Sequence, residues 1–274
     1  MNLMAGKKGL VFGVSNKRGI AYAIAEALHR HGAEVAFTYA GDIMKDRVGP
    51  IAQEMGSKLC VPCDVTDEDQ IREAFAAYEK AYGDMDFLIH AVAFANREDL
   101  SGDFSAISRS GWDLALGVSA YSLIALARYA KPLMIKRGGG AIVALSYLGG
   151  ERSVPHYNVM GVAKAALEAN VRYLAAEMGP HQIRVNALSA GPIKTLAAKG
   201  ISGFDVLLKI TQARAPMKRT VGLEEVGKSG LYLCSDLSSA VTGETHHVDC
   251  GYHSVATVRD DAIIVGVDPY APQA

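Results

Sequence analysis

Short apolar runs alternate with longer stretches of helical spacing along most of this chain, and that alternation constrains its fold more than any other feature. The runs are Gly9–Val14, Glu34–Tyr39, Lys58–Pro62, Phe87–Ala91, Ala141–Ser146, Arg184–Ser189 and Thr245–Asp249. Most are apolar almost throughout rather than at every second position, the pattern of strands covered on both faces. Between them, "GIAYAIAEALHRHG" sets Ile20, Ile24, Ala27 and Leu28 on one helical face and ends at Gly32, where a C′ glycine is expected. "DEDQIREAFAAYEKAYG" opens with acids and ends at Gly83, and the long stretch from Ser108 closes on Lys136, Arg137 and Gly138. Strands and helices of these lengths predict right-handed βαβ units: an α/β, doubly wound parallel sheet of about seven strands with helices on both faces. Without a Pro/Ser-rich linker or repeat, a single domain over residues 1–258 is expected, with a tail at 259–274.

Half of the 274 residues are hydrophobic, which is ample for such a core. The net charge of −1, with acids and bases interspersed, gives no reason to expect nucleic-acid binding. No unbroken apolar run reaches the ~18 residues of a membrane span, and the first residues do not read as a signal peptide. With only four cysteines, this places the chain in a reducing cytoplasm. Cys60 and Cys63 form a CxxC, a zinc half-site or redox pair in one reading and two small apolar strand residues in the other. Zinc would want a second close pair and a redox pair should open a helix, so the second reading, with no metal, is preferred.

In doubly wound sheets ligands sit beyond the carboxyl ends of the strands. Three such ends carry signals. After the first run comes "GVSNKRGIA", with Gly13 and Gly19 six apart, which is not GxGxxG. The physical need can still be met: Gly13 permits a tight turn, and Gly19 lets a phosphate approach the N–H groups that open the next helix, with Ser15, Lys17 and Arg18 as polar contacts. An ordinary βα turn is the other reading. After the third run, Asp64 suits an adenine amine, or else helps cap the next helix, where Thr66 or Asp67 fits better. After the second run, Ala40 and Gly41 supply no arginine for a ribose 2′-phosphate, which favours NADH over NADPH. The least regular region, Gly191 to Arg219, is placed to cover a ligand.

The most informative stretch lies after the fifth run. Tyr147 stands ten residues before Tyr157, and Lys164 seven after it. Seven residues are two helical turns, roughly 10 Å along one face, so Tyr157 and Lys164 can both reach a cofactor lying across the helix. A lysine there would keep positive charge beside the phenol, favouring phenolate character and helping it act as donor or acid. The YxxxK signal of short-chain dehydrogenases/reductases is broken, since Gly161 stands at the lysine position and Ala144 where their serine is expected.

Tyr-x9-Tyr-x6-Lys resembles the bacterial enoyl-[acyl-carrier-protein] reductase family, a divergent branch of the short-chain superfamily with a Rossmann-type sheet. The likeness runs from about Lys7 to Val255, most plainly in "SYLGGERSVPHYNVMGVAKAALEANVRYLAAEMGP" and "IRVNALSAGPIKTLAAKGISGF", with "HAVAFA" where other members carry Asn-Ala-Gly. The resemblance implies hydride transfer from NADH to the trans-2 double bond of an enoyl thioester on acyl carrier protein, the last step of fatty acid elongation. It implies that Tyr157 binds the thioester carbonyl and Lys164 the ribose. Tyr147 falls at the acyl pocket, where it either relays a proton or shapes the wall. It puts Gly13, Ser15, Gly19 and Ile20 at the pyrophosphate and ribose, and Asp64 and Val65 at adenine. Ala91, Val92 and Ala93 form the floor; Ile193, Thr195 and Ala197 meet the nicotinamide end. Ala95, Tyr147, Tyr157, Met160, Ile201 and Phe204 touch the acyl group, and residues 195–215 form a lid.

The resemblance further implies a homotetramer joined through helices 109–137 and 157–179. An acidic carrier protein would dock on Lys194, Lys199, Lys209, Arg214, Lys218 and Arg219, which otherwise read as a solvated basic face. Gly19, Ala40, Ala93 and Cys250 depart from the family pattern. Two alternatives remain: a ketoreductase on 3-oxoacyl thioesters, against which Ala144 and Gly161 speak, and a non-catalytic NAD-binding module, against which Tyr157 and Lys164 speak.

Overall fold

The computed structural model describes residues 2–195 and 203–256. The expected contacts of Ala197, Ile201 and Lys199, and the tail at 259–274, lie outside the described residues. The strands are β1 (Lys8–Phe12), β2 (Glu34–Tyr39), β3 (Cys60–Pro62), β4 (Phe87–His90), β5 (Gly140–Ser146), β6 (Ile183–Ala190) and β7 (Thr245–Val248). The helices are α1 (Ile20–Arg30), α2 (Asp42–Glu54), α3 (Glu68–Tyr82), the single turn α4 (Arg97–Leu100), α5 (Arg109–Leu116), α6 (Ser122–Arg137), α7 (Asn158–Met178), α8 (Phe204–Arg214) and α9 (Leu223–Cys234). A π-turn, Gly117–Tyr121, joins α5 to α6.

The sheet runs β3-β2-β1-β4-β5-β6-β7 and every pairing is parallel. The seven expected strands are therefore present, in a Rossmann-type order. The chain leaves β1 toward β2 on one side and returns to β4 on the other. That reversal opens a crevice beyond the carboxyl ends of β1 and β4.

Each face of the sheet has its own core. On one, α3, α6 and α7 bring Ile71, Phe75, Leu126, Leu167 and Val171 against Leu10, Leu88 and Ile142. On the other, α1, α2 and α9 bring Ile24, Leu28, Ile51 and Val226 against Val11, Val35 and Ile89. The strands read as continuous apolar runs because both faces are covered. Cys63 belongs to the first core and Cys60 packs against the second, so the two thiols of the CxxC face opposite sides of the sheet.

The local signals explain most helix ends. Asp67 caps α3, its side chain accepting from the amides of Asp69 and Gln70, and Gly83 ends it at φ +84°. Gly138 ends α6 in the left-handed region. Helix α2 carries no comparable sequence signal: Pro50 lies inside it, and only Val48, Ile51 and Ala52 are buried. The continuous stretch Arg109–Arg137 is long and apolar enough to cross a membrane by length and composition, although polar residues interrupt its apolar runs. More than half of its most apolar 18-residue window is buried within the protein, where α6 supplies core residues under β4 and β5.

Candidate active site

The turn after β1 is built by backbone contact. Gly13 has φ +91°, and a Cβ there would lie 2.1 Å from the carbonyl oxygen of Ala91, just past β4. No other residue allows β1 and β4 to release their chains this close together. Asn16, which carried no signal in the sequence, shapes the rest of the turn. Its Oδ1 accepts from the Arg18 amide at 2.7 Å, its carbonyl from the Gly19 amide at 3.2 Å, and its Nδ2 donates to Ser15 Oγ at 3.2 Å. Gly19 then caps α1 in an extended conformation with no side-chain hydrogen bond among the described residues. The N–H groups opening α1, beginning at Ile20, are thus aimed beyond the sheet edge with the helix dipole behind them, which fits a pyrophosphate. Lys17 does not join them; its amine pairs with Glu54 of α2 at 2.5 Å.

The neighbouring strand ends are arranged consistently. Asp64 is exposed past β3, where its Oδ1 accepts from the Thr66 amide at 2.9 Å and hydroxyl at 2.8 Å. It therefore stiffens the turn while Asp67 caps the helix. Val65 has its side chain in the core, and Val92 packs half-buried against it. Beyond β6, Ile193 packs half-buried on the second core and its carbonyl accepts from the Thr195 amide at 2.8 Å.

Tyr147 comes directly after β5, and Tyr157 is the residue before α7. Their rings meet edge to face, with centroids 5.0 Å apart and planes at 73°. Two glycines make this possible. A Cβ on Gly149 would sit 2.4 Å from Tyr157 Cδ1, and one on Gly161 would sit 2.9 Å from the Gly149 carbonyl oxygen. Gly161 breaks YxxxK because the first turn of α7 lies against the chain leaving β5, and a lysine has no room there. His156 and Asn158, on either side of Tyr157, both have positive φ, 58° and 23°. Such non-glycine conformations cost of order 1 kcal/mol or more each and persist only where the surroundings enforce them. One enforcing contact is Asn158 Nδ2 donating to the Gly102 carbonyl at 3.1 Å.

Burial, then Tyr147, then Glu168 push the Tyr157 phenol far above its ordinary range; burial, then Tyr252 and Asp249, do the same for Tyr147. Burial thus disfavours the phenolate form that the sequence suggested for Tyr157, and Lys164 is not among the groups that shift it. Lys164 is 5% exposed and donates to the Leu145 carbonyl at 2.6 Å. Burial lowers its amine to about 8, against the opposing pull of Glu168.

Three polar residues that the sequence did not single out complete the floor. Ser146 donates to the buried Glu168 carboxylate, whose affinity for a proton is raised chiefly by burial. His90, fully buried at the end of β4, lies 2.7 Å by its Nε2 from Ser122 Oγ. That hydroxyl donates to the Val118 carbonyl at 2.6 Å, so it accepts from Nε2–H, which fixes the tautomer. Burial, then the Lys164 charge, lower the imidazole to about 3. A lone histidine inside an apolar run gives no sequence clue to a partner 32 residues away, next to a π-turn.

On the acyl side, Ala95 is half-buried, and Ser119 Oγ holds its neighbour Phe94 through both amide (3.1 Å) and carbonyl (3.3 Å). Met160 is buried and Phe204 opens α8 half-buried. Ala144 is wholly buried in the sheet, paired with His90, so a side chain there faces the core and not the tyrosine pair. The basic residues expected to dock a partner are partly engaged. Lys194 pairs with Asp205 (2.7 Å), Arg219 with both oxygens of Glu225 (2.6 and 2.8 Å), and Lys218 donates to the Ala213 carbonyl (2.8 Å). The Arg214 guanidinium lies over the Tyr252 ring, 5.7 Å from its centroid.

The model of the family described as enoyl-(acyl carrier protein) reductase matches residues 13–253. The chain belongs to that family. It is 52% identical over 265 residues to an enoyl-[acyl-carrier-protein] reductase [NADH] of Rhizobium meliloti, covering 97% of each chain. Among solved structures, the Anaplasma phagocytophilum reductase in complex with NAD is 48% identical, with a TM-score of 0.90 over 94% of this chain and 97% of that one. The Bacillus cereus reductase, solved with NADP+ and an indole naphthyridinone, is 49% identical with a TM-score of 0.91, over 94% of this chain and all of that one. For a member of this family, the turn after β1 and the tyrosine pair are the natural candidates for cofactor and acyl contacts.

Proposed function

We propose that this chain is an NADH-dependent enoyl-[acyl-carrier-protein] reductase that reduces the trans-2 double bond of enoyl thioesters, the last step of fatty acid elongation. The observation that carries the reading is the Tyr157 phenol, clasped by Tyr147 and Gly149 at the head of the helix that bears the buried Lys164. NADH, when bound, supplies a hydride for the β-carbon. Tyr157 donates to the thioester carbonyl and stabilises the enolate oxygen that develops there, a role worth ~3 kcal/mol for one such donor, and a proton from water taken up at the α-carbon completes the reduction. A phenol held neutral by burial is suited to it, because it always has a proton to donate. Lys164 holds the ribose hydroxyls and Tyr147 walls the acyl group.

The remaining roles rest on the family resemblance and on the position of these residues beyond the carboxyl ends of the strands. Gly13, Ser15, Gly19 and Ile20 hold the pyrophosphate and ribose. Asp64 and Val65 border adenine, Val92 lies beneath the cofactor, and Ile193, Thr195 and Ala197 meet the nicotinamide. Ala95, Met160, Ile201 and Phe204 line the acyl path, with 195–215 as the lid. Lys209 and Arg214 are the better docking charges for an acidic carrier protein, since Lys194 and Arg219 already hold acids. The free thiols of all four cysteines fit a reducing cytoplasm. A homotetramer through 109–137 and 157–179 is supported by Tyr121 and Tyr173, whose rings stand 48% and 80% exposed on those segments.

The test offers the purified protein crotonyl and acetoacetyl thioesters with NADH, then with NADPH. Rapid oxidation of NADH with the enoyl substrate alone is expected. Turnover of only the 3-oxoacyl thioester would replace this reading with a ketoreductase, and turnover of neither with a binding module. Light scattering at four times the chain mass is expected; a monomer would remove the tetramer.

A further inference from the structure

Four residues beyond Lys164, and so one turn along the same face of α7, stands a second buried charge, Glu168. Both side chains are 5% exposed. Successive residues of β5 hold them: the Leu145 carbonyl accepts from the Lys164 amine at 2.6 Å, and the Ser146 hydroxyl donates to Glu168 Oε1. The turn that carries Tyr147 closes over the pair. A Cβ at Gly150 would come within 3.0 Å of both Glu168 Oε1 and the Lys164 backbone carbon, so the glycine leaves room for the carboxylate. A buried acid is expensive to keep unless something answers it, and a buried ammonium sheds its proton readily.

We propose that Glu168 is a positioning residue for the reduction: its buried carboxylate, held by Ser146, keeps the Lys164 amine charged and so keeps it on the cofactor ribose. This rests on the ribose role proposed for Lys164. The groups facing the pair support it from each side. From β4, His90 is neutral and adds no positive charge; burial pulls the lysine down to about 8, and Glu168 is the group that opposes it. Around Glu168, burial first and then Glu151 of the turn discourage its charge, while Ser146, His247 of β7 and Arg172 of α7 favour it. His247 is itself paired with Glu151 at 2.7 Å and stacked on His253 at 4.0 Å, and His253 is held by Asp249 at 3.0 Å.

The experiment measures NADH affinity and kcat/KM across pH for the full chain carrying Glu168→Gln, Ser146→Ala or Lys164→Ala. Glu168→Gln should bind NADH normally near pH ~6 and lose about fivefold or more near pH ~8, with its alkaline limb moved down by about one pH unit. Ser146→Ala, which leaves the carboxylate but withdraws its donor, should move the limb in the same direction by less, and it carries the test if Glu168→Gln does not fold. A Glu168→Gln profile superimposable on the parent, with Lys164→Ala weakened at every pH, would overturn the proposal and leave the lysine's role standing. Full NADH affinity in Lys164→Ala would overturn both.

Discussion

Gly149 and Tyr157 lie so close that residue 149 has no room for a side chain: a Cβ there would stand 2.4 Å from Cδ1 and 2.7 Å from Cε1 of the phenol ring. The glycine therefore sets where the hydroxyl points. Gly149→Ala should fold, because the methyl can be relieved by turning one ring, but it should lower kcat by about 10- to 100-fold for a displaced donor. Tyr157→Phe should do the same by about 100-fold or more through loss of one such donor. Stopped-flow and steady-state kinetics check both, with NADH affinity expected to change by less than about threefold in either.

Burial of the Lys164 amine carries a pH-dependent cost to stability. Its folded pKa of about 8 lies below the unfolded value of 10.5, so the unfolded chain holds the proton more tightly. The penalty is complete below pH 8 and is relieved as pH rises toward 10.5. Lys164→Met should therefore abolish the rise in stability between pH ~8 and ~10, with no net gain near neutral pH because the Leu145 carbonyl and the buried Glu168 carboxylate lose the amine that answers them. Denaturant melts across pH, alongside a loss of NADH binding, check this.

His90 carries the opposite pH signature. Its imidazole is held at about 3, below the 6.5 of an unfolded histidine, so stability is full above 6.5 and drains away as pH falls toward 3. The loss from this group should be on the order of 2–3 kcal/mol by about pH 4. His90→Asn removes the titrating group and should flatten the acid side of the stability curve relative to the parent, even if it is slightly less stable at pH ~7. Thermal melts of both proteins over that range decide it.

Gly19 holds its cap position at φ −96° and ψ 152°, a conformation open to any residue. A Cβ there would lie 3.3 Å from the Asn16 carbonyl oxygen and 3.8 Å from Ser15 Oγ, a tight but workable fit. Gly19→Ser adds the cap that α1 lacks and a hydroxyl beside the expected pyrophosphate. NADH affinity measured by titration should rise by about two- to fivefold, with a stability gain of a few tenths of a kcal/mol.

The sequence by itself determined the sheet and the order of its parts. Continuous apolar runs can be satisfied only with both faces covered, and runs separated by helix-length stretches admit few topologies. The same local logic singled out Gly13, the α1 entrance, Tyr157 and Lys164 as candidates, because backbone turns and helical spacing leave their mark in consecutive residues, while Tyr147 entered through the family resemblance. It did not find α2, whose Gly49 and Pro50 obscure its period, nor Asn16, whose bonds look like any polar loop. Only the tertiary structure decided how the site is tuned. Ser146 meets Glu168 across 22 residues and His90 meets Ser122 across 32, through helices folding back on the sheet. The raised phenols, the lowered lysine and the lowered imidazole all owe their shifts chiefly to removal of water, and burial depends on what packs above a residue rather than on what stands beside it in the chain.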